Sequence, residues 1–297
     1  MTGKGFRDRR LERELCLTNL DRRASLTVFT DLTTYLATPL QAIADEYWVY
    51  HTGADLIAQK RVGDAREEKD VLAYYQVTPH YLYELSYWEA SADKQAWFKV
   101  VATACKKFRW QRVMDMGGGV GGLTLYLNRR GIRCDYLDVA GKTFDYAAWR
   151  FHRHDVTPAM FDVRDPTRQP QGPYDAIFAW DVLEHIFDLE GAIQRVASLL
   201  RPNGWFITKS TFATTGGQHE AIHLAQHACY QDVKELNRLF IRCGFRFIGQ
   251  LKPNGLSRLL RSCGFAHTVA GIRIVQKLKH GGNFLIHERF DGAEARA

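Results

Sequence analysis

The stretch QHEAIHLAQHACY contains residue types and spacings that can bind a metal. His219, Glu220 and His223 spell H-E-x-x-H, and His227 follows four residues later. On a helix, histidines at i, i+4 and i+8 share a face, and the first two with the Glu form a zinc-protease signature. A zinc protease also needs a scaffold built around the metal and a third ligand. Here the string follows a strand-like GWFITKS and the segment TFATTGGQ, and precedes a helical QDVKELNRLFIRCG. That context speaks against a protease. A metal site drawn from His219, His223, His227 or His185 is an alternative, but a loop histidine working without metal is the expectation.

A second chemical feature is the run MDMGGGVGGL. Gly117, Gly119 and Gly122 fit G-x-G-x-x-G, with Asp138 near the place of a ribose-binding acid in a dinucleotide fold. Asp115, Gly117, Gly119 and Gly121 equally fit D-x-G-x-G-x-G, the first motif of class I S-adenosylmethionine-dependent methyltransferases. The charge on Asp115 separates the two readings. A carboxylate just before the turn repels a pyrophosphate but favours the ammonium and sulfonium of S-adenosylmethionine. Asp138 is then placed to accept both ribose hydroxyls. Asp162 is placed to accept from the adenine amino group, with Phe161 against the ring.

These residues need a scaffold, and the hydrophobic pattern provides one. Residues 1–110 read as helical and aromatic, with apolar residues three and four apart. Pro79 must interrupt that pattern, and Ser91 is placed to cap a helix from Ala92 to Phe108. From residue 111 short apolar strands alternate with helices: RVMDM, CDYLDV, AMFDV, YDAIFAW, GWFITKS and FRFIGQL. A helical insert over about 252–280 and a last strand NFLIHERF complete the reading. The expected fold is α/β: a Rossmann-like, doubly wound, mainly parallel seven-stranded sheet with an N-terminal helical cap.

The order VMDMGGGVGGLTLYL, CDYLDVAG, AMFDV, YDAIFAWDVLEHIFD, RVASLLRPNGWFITKS resembles class I methyltransferases over about residues 110–250. The runs DVLEHI and LLRPNGWFI are similar to the ubiquinone-biosynthesis O-methyltransferase branch. A glycine common in that branch is Asn203 here, a tolerable change at a turn. The resemblance implies S-adenosylmethionine as cofactor and methyl transfer to a small molecule, with oxygen or nitrogen acceptors favoured. The implied cofactor-binding set is Asp115, Gly117, Gly119, Gly121, Asp138, Phe161, Asp162 and Asp181. His185, just past the fourth strand, is a candidate general base. His223 in AIHL matches a histidine that borders the acceptor pocket in that branch. Tyr74, Tyr75, Tyr81, Tyr83, Tyr87 and Trp88 supply rings that can wall the pocket or pack as core.

The bulk composition sets outer bounds. With 46% hydrophobic and 25% charged residues the chain can bury a sizeable core. No apolar run approaches the length of a membrane span and the N-terminus lacks the apolar core of a signal peptide, so a cytoplasmic location is expected. The six cysteines form no CxxC pair and read as free thiols. Net charge is +7, and residues 236–287 hold no Asp or Glu. That basic block opens alternatives in which tRNA or an acidic carrier protein presents the acceptor, against the bland reading of a solvated face. An NAD-dependent oxidoreductase is the remaining alternative.

Overall fold

The computed structural model describes residues 20–43, 45, 61–212, 222–250 and 272–277. Among the described residues the N-terminal region includes the helices α1 (Arg22–Leu36), α2 (Glu68–Val77), α3 (His80–Ala90) and α4 (Ala92–Phe108). Asp21 caps α1 by accepting from the Arg23 and Ala24 N–H groups. Thr78 is held extended ahead of Pro79, which separates α2 from α3. Ser91 caps α4 by accepting from the Lys94 N–H at 3.2 Å, and the helix has the bounds its pattern foretells.

From residue 112 strands and helices alternate: β1 (Arg112–Met116), α5 (Gly122–Asn128), β2 (Arg133–Asp138), α6 (Lys142–Arg153), β3 (Met160–Asp162) and β4 (Tyr174–Trp180). Then follow α7 (Leu189–Leu199), β5 (Leu200–Lys209), α8 (Val233–Arg242), β6 (Phe245–Gln250) and β7 (Ile272–Lys277). The strand order is β3-β2-β1-β4-β5-β7-β6. β1 to β5 run parallel, and β7 runs antiparallel between β5 and β6. Asn203 adopts φ 61°, a left-handed conformation that Asn tolerates better than other non-glycine residues.

The period of two along each strand puts apolar side chains on both faces. Val113, Ala176 and Phe178 pack under Trp97, Phe98 and Val101 of α4 and Leu123 and Leu127 of α5. Met114, Ile177 and Ala179 face Ile193 and Val196 of α7 and Leu239 and Phe240 of α8. A parallel sheet covered on both faces explains the nearly continuous apolar runs of β1 and β4. The strand edge so formed, at the C-terminal ends of β1, β2 and β4, is where open sheets of this kind hold ligands.

One expectation is corrected: β7, Ile272–Lys277, is a strand within the stretch 252–280 expected to be a helical insert. IRIVQK is rich in β-branched residues, which suit a strand, and its basic residues had grouped it with the charged block. NFLIHERF and the rest of that insert lie outside the described residues, as do Cys16 and Cys263. Cys105, Cys134 and Cys243 are buried free thiols, whereas Cys229 is exposed.

Candidate active site

A cavity of about 670 Å³ opens at the C-terminal ends of β1, β2 and β4. Its floor is the turn from Gly117 to Gly122. Gly117, Gly119 and Gly121 all have positive φ, which gives the turn its need for glycine. At Gly119 a Cβ would also sit 2.5 Å from Leu85 of α3, so the turn and the N-terminal helices are in direct contact. The Gly119 N–H donates to Asp138 Oδ2 at 2.6 Å, and the Val139 N–H donates to Asp138 Oδ1 at 2.6 Å. These bonds fix the carboxylate at the cavity wall. Burial pushes the Asp138 carboxyl up to about 6, against the pull of those two N–H groups.

Asp115 is buried beneath the same turn, and its Oδ2 accepts from Thr124 Oγ1 at 3.0 Å. Burial pushes it up to about 6 as well, although the Thr124 hydroxyl and the Lys94 ammonium both favour its ionised form. Asp181 lines the cavity with φ 55° and receives Lys209 Nζ at 2.9 Å. Asp115, Gly117, Gly119, Asp138 and Asp181 all border this one space. Gly121 does not line it; its positive φ shapes the start of α5.

Two residues of the expected cofactor-binding set stand outside the lining of this cavity. Phe161 is buried in the core with Leu137 and Leu199 and does not line the cavity. Asp162 does not line it either: it accepts from the Ala140 N–H at 3.1 Å and from the Arg164 guanidinium at 3.1 Å. Burial raises the Asp162 carboxyl, but Arg164 and the Ala140 N–H outweigh it and hold it below the usual range. Val163 and Gln169 line that side instead, and Gln169 Oε1 accepts from Arg195 at 2.6 Å. No motif marks these two, because they follow β3 in an irregular turn.

The other end of the cavity gathers Glu184, His185 and His223. Glu184 and His185 form a 3₁₀ turn after β4, and His223 precedes a second 3₁₀ turn, Ala225–Gln231. The two imidazole rings lie 5.0 Å apart, and the Tyr75 ring from α2 lies 5.9 Å from His185. Glu184 is 1% exposed; its Oε1 accepts from the Thr211 N–H at 2.9 Å, while its Oε2 has no hydrogen-bond partner among the described residues. Burial pushes this carboxyl up to about 7, against the Thr211 N–H.

Of the histidines in the metal-like string, His223 and His227 are described, and they do not join one cluster. Residues 222–224 form a turn rather than a helix. His227 points away, its Nε2 2.8 Å from the Ile186 carbonyl oxygen, and burial lowers its proton affinity. His219 and Glu220 lie outside the described residues. Glu184, His185 and His223 are the set whose ligand atoms lie within 4.8 Å of one another, close enough to share a divalent ion. Sequence spacing could not show that set, since its members come from different turns.

Residues 87–250 match a family described as a methyltransferase domain. The chain belongs to the class I S-adenosylmethionine-dependent methyltransferases. Its methyl donor is S-adenosylmethionine. A ubiquinone biosynthesis O-methyltransferase of Chromobacterium violaceum is 25% identical over 167 residues, 54% of this chain and 68% of that enzyme. Another from Bradyrhizobium diazoefficiens is 29% identical over 120 residues, 36% of this chain and 46% of that enzyme. A highly reducing polyketide synthase of Alternaria alternata is 33% identical over 112 residues, 33% of this methyltransferase but 4% of the synthase. The solved structure of an O-methyltransferase family protein from Burkholderia thailandensis is 18% identical, with a TM-score of 0.47, covering 81% of this chain and 72% of that one. Family membership displaces the NAD-dependent oxidoreductase alternative, in keeping with a carboxylate under the glycine turn.

Proposed function

We propose that this methyltransferase acts on a small-molecule acceptor bound between its N-terminal helices and the turns carrying Glu184, His185 and His223. The observation that carries this reading is a single cavity with Asp138 on one wall and the Glu184–His185–His223 cluster on another. The donor set suits the cofactor: buried carboxylates face a molecule bearing an ammonium and a sulfonium, and the glycine turn leaves room for close approach. When bound, S-adenosylmethionine supplies a methyl group on a sulfonium centre, activated for attack by a nucleophile.

The chain's own residues do the rest. Asp138, already oriented by two N–H donors, accepts the ribose hydroxyls. Asp115 adds negative potential beneath the turn, and Asp181 with Lys209 borders the amino-acid end. The helices α2 and α3 cap the site, exclude water and align the acceptor, which is where a displacement of this kind gains most. His223, seconded by His185, takes a proton from the acceptor at an imidazole nitrogen, and Glu184 steadies the resulting charge. Asp162 and Phe161 act one layer behind, holding the turn after β3.

A macromolecular acceptor held by residues 236–287 draws no support from the cavity. None of that block's described residues lines it, and Arg242 pairs with Glu190 at 3.2 Å while Arg238 pairs with Glu235. Steady-state kinetics on His223→Ala and His185→Ala test the proton-transfer role. Loss of a general base lowers kcat by roughly 100-fold or more with cofactor affinity intact. Full activity in His223→Ala removes it from that role. Activity lost to a chelator and restored by one divalent ion transfers the role to a metal held by Glu184, His185 and His223.

A further inference from the structure

The wall that α2 and α3 present to the cavity has a distinct chemistry. On α2 the lining residues Glu68, Val71, Leu72 and Tyr75 follow helical spacing, and on α3 so do Tyr81, Glu84, Leu85 and Trp88. No Lys or Arg of either helix lines the cavity. The Tyr75 and Tyr81 rings lie 5.3 Å apart, and the Tyr75 ring reaches His185. Carboxylates from α2, α3 and the Glu184 turn therefore share this end with electron-rich rings.

The cavity's cations are committed elsewhere. Lys209 binds Asp181 at 2.9 Å, Lys94 and Lys209 stand 5.5 and 5.3 Å from the Trp180 ring, and Arg195 donates to Gln169. An independent observation comes from Glu184. Its Oε2 is buried and unpartnered among the described residues, so the site has an acceptor atom waiting for a donor. A buried carboxylate oxygen without a partner costs free energy that a bound N–H⁺ group recovers.

Resting on the methyltransferase reading above, we propose that the acceptor is an amine that enters as an ammonium cation and is methylated on nitrogen. Aromatic faces attract ammonium groups, and the acidic lining residues Glu68 and Glu84 disfavour an anionic acceptor. The step balances. The ammonium passes one proton to the His185–His223 pair, which exposes the nitrogen lone pair. The N–C bond then forms as the S–C bond breaks, the bonding electrons stay on sulfur, and the donor becomes a neutral thioether. The product nitrogen is again an ammonium, so the acidic wall faces a cation before and after transfer.

The test uses calorimetric binding of three probes of similar size to the full-length protein saturated with S-adenosylhomocysteine. They are the cation phenylethylammonium, the neutral 2-phenylethanol and the anion phenylacetate. The expected result is phenylethylammonium binding at least tenfold tighter than 2-phenylethanol, with phenylacetate weakest. The Glu68→Gln, Glu84→Gln double variant is expected to weaken that preference severalfold and keep its affinity for S-adenosylhomocysteine. Equal or tighter binding of the neutral or anionic probe overturns the proposal, as does a preference undiminished in the double variant. Absence of phenylethylammonium binding to a protein that holds S-adenosylhomocysteine overturns it too, and leaves the methyltransferase reading standing. Failure of S-adenosylhomocysteine itself to bind overturns both.

Discussion

Asp115 and Asp138 are held at about 6 by the same burial that makes them useful to a cationic cofactor. Each ionises at higher pH in the folded chain than in the unfolded one. Between the ordinary value of 3.8 and about 6, the cofactor-free folded state holds more protons, so its stability falls as pH rises and levels off above about 6. Cofactor affinity has the opposite slope, because the ionised carboxylates are the ones that bind: affinity for S-adenosylhomocysteine rises with pH up to about 6 and then levels. Thermal denaturation and calorimetry across that range check both slopes, and Asp138→Asn should flatten much of the second. Asp138→Ala should weaken S-adenosylhomocysteine by at least roughly 100-fold, from two charge-assisted hydrogen bonds of about 1.5–3 kcal/mol each. Unchanged affinity would remove Asp138 from the ribose site. The placing of Asp115 and Asp138 beside the glycine turn was legible in the residues themselves, since each stands at the C-terminal end of a short apolar strand next to it. The core packing of Phe161 with Leu199 and the bond from the Ala140 N–H to Asp162 were not legible, because partners 38 and 22 positions away leave no local pattern.

At the scale of elements, Arg150 of α6 decides how the N-terminal helices sit. It is 1% exposed and donates to both Glu89 oxygens of α3 at 2.6 and 2.8 Å, to Asp31 of α1 at 3.1 Å and to the Val120 carbonyl at 2.8 Å. Glu89 in turn sits where a Cβ on Gly122 would touch it, so one guanidinium ties α1, α3 and the cofactor turn together. Arg150→Met should destabilise the fold by roughly 3–5 kcal/mol, because it strands Glu89 as a buried unpaired charge and leaves Asp31 only Arg153 and His154. A urea midpoint unchanged from wild type would show that the network carries no such weight. Nothing in the sequence announced this network, whose partners stand 61 and 119 positions from Arg150. Helix caps and strand runs, being local, were readable: Ser91 capped α4 and YDAIFAW became β4. The strand IRIVQK was missed because its pairing with β5 and β6 is long-range.

The whole chain carries a net charge of +7, while the lining of its cavity holds more acidic than basic residues. The two described arginines early in the block, Arg238 and Arg242, join exposed ion pairs that contribute little stability. Binding to bulk tRNA should therefore be weak and should disappear between low and moderate salt without altering methylation of the acceptor. Among the described residues, no helix is long and apolar enough to cross a membrane. The central claim is that the joined cavity delivers a methyl group from S-adenosylmethionine to a small molecule. The most direct measurement is incubation of the protein with methyl-labelled S-adenosylmethionine and a cell extract of its native organism, followed by separation by mass. The account predicts label in a low-mass product, abolished by Asp138→Ala and strongly reduced by His223→Ala. Label confined to RNA or protein, or no transfer from a protein shown to be folded, would contradict it.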